Sequence, residues 1–127
     1  MTTTTTTTLA RTRAGAAVTI AWVLQILCAA MFLFAGGSKL AGQQAMVDTF
    51  GQIGLGQWFR YLTGIIEVGS AVMLLVPSLA FFGAAALFVT MFGAVITHLF
   101  VVGGSPAPAA VLLVVTATIA YLRRPAA

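Results

Sequence analysis

Charge is what this 127-residue chain has least of: two acidic and six basic side chains, 6% in all. Soluble domains carry about 25% charged residues, so a water-covered globular surface is excluded. The six basic residues are scattered and form no patch, and the net charge of +4 therefore marks no nucleic-acid surface. Cysteine occurs once, at Cys28, which rules out an intramolecular disulfide and a CxxC redox centre. Histidine also occurs once, at His98. One histidine and one cysteine cannot build a metal site alone, nor supply two axial histidines for a haem, so no metal is expected. Gly36-Gly37-Ser38-Lys39 lacks the spacing of a phosphate-binding loop. No nucleophile elbow surrounds a serine, and Asp48 falls in a connection, so hydrolysis is not supported.

What the chain does have is apolar sequence, 61% of its residues. A membrane-spanning helix takes about 20 such residues, and four spans with short connections use up most of this length. The runs fall at about 16–36, 59–76, 79–102 and 109–122. They predict an all-α integral membrane four-helix bundle as a single domain over 16–124. Residues 1–15, mostly threonine, have no apolar periodicity and read as a disordered tail, and 125–127 as a second tail. The first run is longer than the 7–15 residues of a signal-peptide core, which favours a retained first helix.

The connection from Lys39 to Gln57 carries Met46, Val47, Phe50 and Ile53 at helical spacing, which predicts a short amphipathic helix on the surface. Gly51, Gly54 and Gly56 end it, and Trp58, Phe59 and Tyr61 read as an interfacial aromatic belt. Pro77 stops the second span, Ser78 is placed to cap the third, and residues 103–108 form a turn. Arg11 and Arg13 precede the first span, while Arg123 and Arg124 follow the last. An even number of spans puts both pairs on one side, and the positive-inside rule makes that side cytoplasmic.

Ionisable residues inside spans cost about 2.5–3.5 kcal/mol at the helix centre on insertion scales, and so mark sites by default. Three stand out: Lys39, Glu67 and His98. Lys39 lies at the outer end of the first helix. Glu67 is about 13 Å below the outer interface, and His98 about 6 Å. Helical stripes support a shared inward face. They run Gln25, Cys28, Phe32, Ala35, Lys39 on the first helix and Arg60, Gly64, Glu67, Ala71 on the second. On the third they run Gly83, Ala86, Thr90, Ala94, Thr97, His98. Glu67 needs either a proton or a partner there, and His98 or Lys39 could supply the partner. Arg60 is expected to snorkel to the interface instead. A glutamate–histidine pair is suited to moving protons and to hydrogen-bonding a quinone headgroup. Glu67 and His98 are thus the candidate catalytic residues, with Lys39, Gly64, Gln25 and Thr97 the candidate substrate-binding ones. Each has a plainer reading: Glu67 and Gln25 as hydrogen bonds between helices, His98 as a wetted interfacial residue, Lys39 as a snorkelling one. Cys28 reads as an inert packing residue.

Three ordered segments carry a family resemblance. Gly36-Gly37-Ser38-Lys39-Leu40 resembles the G-x-x-K-L segment of DoxX and DoxX-like membrane proteins. Gly64-Ile65-Ile66-Glu67 is similar to their G-x-x-E element, and Gly93-Ala94-Val95-Ile96-Thr97-His98 to their G-A-x-x-x-H ending. The resemblance covers about residues 16–124. It implies a multi-pass protein of the bacterial cell (inner) membrane associated with redox complexes. Its members include thiosulfate–quinone oxidoreductase subunits and partners of sulfurtransferases, and distant relatives act as membrane chaperones.

Quinone is therefore the expected cofactor or substrate. A protein partner must supply electrons, since no cofactor motif is present, so the chain is at most a subunit of an enzyme. The lipid bilayer is the other expected partner, and self-association is compatible with this reading. One alternative is an assembly or scaffold factor. Another is a small proton-coupled multidrug-type transporter, although those exporters carry their glutamate on the first span and Glu67 is on the second.

Overall fold

A computed structural model describes residues 2–126. Among these the chain is all-helical: α1 (Thr2–Ala41), α2 (Gln44–Ile53), α3 (Gln57–Leu74), α4 (Ala80–Thr97) and α5 (Ala107–Leu122). α4 runs on through a π-helical segment, His98–Val102.

The first apolar run closes at about residue 36, and α1 continues past it to Ala41. Its terminator is Gly42, in the left-handed region at φ 72°. Gly42 N–H donates to the Lys39 carbonyl and Gln43 N–H to the Ser38 carbonyl, the paired closure that absorbs the last free carbonyls of a helix. Gly36 and Gly37 lie inside the helix. The start of α1 also departs from expectation, because the threonine tract is helical from Thr2 rather than a disordered tail. The hydroxyls of Thr7, Thr8 and Thr12 each donate to the carbonyl four residues earlier. Extending an existing helix costs far less than nucleating one, so the apolar segment carries the threonines with it. Met1 and Ala127 lie outside the described residues.

The expected surface helix is α2. Its C-cap is Gly54, whose N–H donates to the Phe50 carbonyl. Ser78 does not cap α4. The α4 ladder opens at the Leu79 carbonyl, which accepts from Gly83 N–H at 3.0 Å, one residue too late for Ser78 to be the cap. α5 begins at Ala107, two residues earlier than the proline-rich turn implies. A proline in the first helical turn forfeits no hydrogen bond, because the first N–H groups have no partner within the helix.

α1 packs on α3, α3 on α4, α4 on α5 and α5 back on α1, with α2 against α3 and the π-helical segment. The shared core holds Cys28, Phe32, Ala71, Leu74, Leu87 and Ile119. Helix pairs of this kind gain little from excluding water and depend on close packing of small residues. α1 and α3 approach closely through two such residues, both glycines. A Cβ on Gly36 would lie 2.8 Å from Val68 Cγ2 and 3.0 Å from the Gly64 carbonyl oxygen. One on Gly64 would lie 3.0 Å from the Gly36 carbonyl oxygen.

The outside is apolar. Ile26, Phe34, Ile65, Val72, Phe92 and Val114 are all more than half exposed. A surface this hydrophobic on several helices fits lipid rather than water.

Candidate functional site

The close contact at Gly36 and Gly64 fixes where the polar residues one turn away must meet. Lys39 follows Gly36 by three positions, and Glu67 follows Gly64 by three, so each falls on the same face as its glycine. Lys39 Nζ lies 3.1 Å from Glu67 Oε2. Glu67 is 2% exposed and the Lys39 side chain 13%, so this is a largely buried ion pair joining α1 to α3. Among the described residues this is the one hydrogen bond to the carboxylate, and Oε1 takes none.

Both members of the pair line a cavity of about 500 Å³, a size typical of small-molecule sites. α2 roofs it through Met46, Phe50 and Ile53, its apolar face. Phe50 is buried and packs on Phe59 with ring centroids 5.8 Å apart. Thr97 and His98 line the same cavity from the end of α4. Thr97 donates to the Gly93 carbonyl, and His98 Nδ1 is 2.9 Å from the Gly103 carbonyl oxygen. The π-helical segment starts at His98, and such departures from α geometry occur often at functional positions. Between α3 and α4 the cavity is edged by Leu62, Ile66 and Val89, which are also exposed. Its rim therefore lies on the apolar outer surface.

Lys39, Glu67, Thr97 and His98 are thus brought together. Two other sequence candidates have different surroundings. Gly64 contributes the α1–α3 contact and does not line the cavity. Gln25 is about 21 Å along α1 from Lys39, too far to share the site. It is fully buried, donating from Nε2 to the Leu74 carbonyl at 2.6 Å and accepting from Arg123 Nε at 2.8 Å. It ties α1, α3 and the end of α5 together.

Arg60 also departs from expectation. It is 5% exposed and does not snorkel. Its Nη1 donates to the Lys39 carbonyl, Nε donates to Gln57 Oε1 at 2.7 Å, and the guanidinium stacks over the Tyr61 ring. A cation on the last carbonyls of α1 complements the negative end of the helix dipole, and this pulls the side chain inward.

Sequence reasoning missed the α2 residues and Phe59 as parts of the site. Their signal was present in the amphipathic pattern of α2, whose apolar face was assigned to the membrane surface and instead covers the cavity.

Two helical stretches, Thr3–Ala41 and Ala80–Val102, are long and apolar enough to cross a membrane. With the apolar exterior they define an all-helical membrane protein carrying an internal polar pair. The chain belongs to the DoxX-like family, whose model matches residues 23–121. Neither a curated protein nor a solved structure gives a match.

Proposed function

We propose that the protein is a four-helix bundle of the bacterial inner membrane with both termini cytoplasmic, and that its cavity receives a lipid-soluble molecule of the quinone type within a membrane redox complex. One observation carries this reading: a buried ion pair faces a largely apolar cavity whose rim is on the apolar outer surface. An apolar wall accepts a ring and tail, and the few polar groups orient a headgroup. Glu67 and His98 are the proton-handling groups, Lys39 and Thr97 contact the headgroup, and α2 covers it. Electrons come from a partner protein, since quinone reduction takes two electrons and two protons and the sequence shows no cofactor motif.

The test replaces Glu67 by Gln and His98 by Ala and follows quinone binding by the purified protein and resistance of cells to redox stress. Loss of both supports the reading, and retention of both rejects it. A scaffold role is the second reading, favoured by the fact that Lys39–Glu67 already links two helices. It predicts that the same substitutions weaken stability or partner retention and change no ligand affinity.

A further inference from the structure

Apart from the Lys39 ammonium, the hydrogen-bonding capacity left open in the cavity is on the accepting side. His98 Nδ1 faces the Gly103 carbonyl oxygen at 2.9 Å, and a carbonyl can only accept. Nδ1 therefore carries the proton, and in the neutral ring Nε2 is left as a lone pair. No donor is recorded for Nε2 among the described residues. Glu67 presents the second open acceptor. Its Oε2 takes the Lys39 ammonium, no donor is recorded for Oε1, and the residue is 2% exposed. Thr97 has committed its hydroxyl hydrogen to the Gly93 carbonyl.

Lys39 is the remaining charged group at the cavity and still has N–H donors. A hydroxyl oxygen accepts from an ammonium as readily as a carbonyl oxygen does, so Lys39 does not discriminate between the two. The acceptors do. A ligand carbonyl placed against Oε1 or Nε2 meets lone pair with lone pair, whereas a ligand hydroxyl donates to either.

Resting on the reading of the cavity as a ligand site, we propose that it selects lipid-soluble molecules bearing hydroxyl donors, such as phenols and hydroquinones, over their carbonyl or ether counterparts. In a redox complex this makes the reduced form of a quinone the tighter ligand. The headgroup is read by Glu67 and His98 from two helices, so a ligand with two hydroxyls gains over one with a single hydroxyl.

The test measures equilibrium binding of decylhydroquinone, its dimethyl ether and decylquinone to the full chain in lipid nanodiscs under argon. The hydroquinone is expected to bind about tenfold tighter than either counterpart. His98→Phe keeps a ring and removes the acceptor. It is expected to lower hydroquinone affinity severalfold while leaving the dimethyl ether unchanged, and His98→Gln, which restores an acceptor, is expected to recover part of the loss. Equal affinities for all three compounds, or tighter binding of decylquinone, overturn the donor preference and leave the cavity as a ligand site. Absence of binding by all three overturns both.

Discussion

At the scale of single residues, the ion pair between Lys39 and Glu67 decides most of the account. Removing one member of a buried pair leaves an uncompensated charge, which costs about 3–5 kcal/mol. Replacing both with apolar side chains removes the charge and its desolvation together. Lys39→Met and Glu67→Met alone are therefore expected to lower stability in detergent markedly, and the double variant to recover a large part of the loss. Thermal unfolding of all four proteins measures the coupling, and additive losses would mean that the pair does not interact.

Lys39 and Glu67 were legible as inward-facing groups because an ionisable residue in a span needs a partner. The stripes left His98 and Lys39 both open as that partner, and the structure pairs Glu67 with Lys39. Arg60 was not legible, because whether a long side chain reaches water or a neighbouring carbonyl depends on where α1 ends. Gln25 could be read as a contact between helices, but its partner Arg123 is 98 residues away and no local pattern points to it.

At the scale of elements, glycine has two uses in this chain, and sequence alone does not separate them. Gly42 and Gly54 end helices, whereas Gly36 and Gly64 lie within helices and let α1 and α3 approach. That ambiguity is why the first apolar run is bounded at Gly36, although Lys39 is placed on its helix, two residues short of the last residue, Ala41. The structure predicts opposite outcomes for two glycine substitutions. Gly36→Ala forces a Cβ into contact with Val68 and the backbone of α3, an overpacking that costs about 1–3 kcal/mol. Gly93→Ala has nothing within 4 Å and is expected to be neutral, or stabilising by up to about 1 kcal/mol through helix propensity. Detergent melting curves of the two variants check this directly. The role of α2 was the largest gap at this scale, since an amphipathic helix looks the same in sequence whether it rests on lipid or on a cavity.

At the scale of the whole molecule, the proposed four-span arrangement, with arginines near both ends of the chain, predicts a single orientation. In a Cys28→Ala background, cysteines placed at Thr12 and Ala126 are expected to react with a membrane-impermeant thiol reagent only after the cytoplasmic side is exposed. A cysteine at Gln52, in α2, is expected to react in intact cells. The reverse pattern would invert the topology. With Cys28 retained, its 2% exposure predicts little background labelling. The all-helical class was legible from composition and run length, because lipid demands that each span satisfy its own backbone. The closure of a cavity by α2 and the π-helical segment was not, since it depends on packing between elements distant in the chain.

The most direct measurement is the amount of quinone that accompanies the detergent-purified protein, quantified per chain by mass spectrometry for the wild type, Glu67→Gln and Ala94→Phe. Ala94 lines the cavity, and a phenyl group there fills it without touching the ion pair's chemistry. Near-stoichiometric quinone in the wild type, falling to background in both variants, is the predicted result. Background levels in all three, or equal amounts that ignore both substitutions, would contradict a quinone site in this cavity.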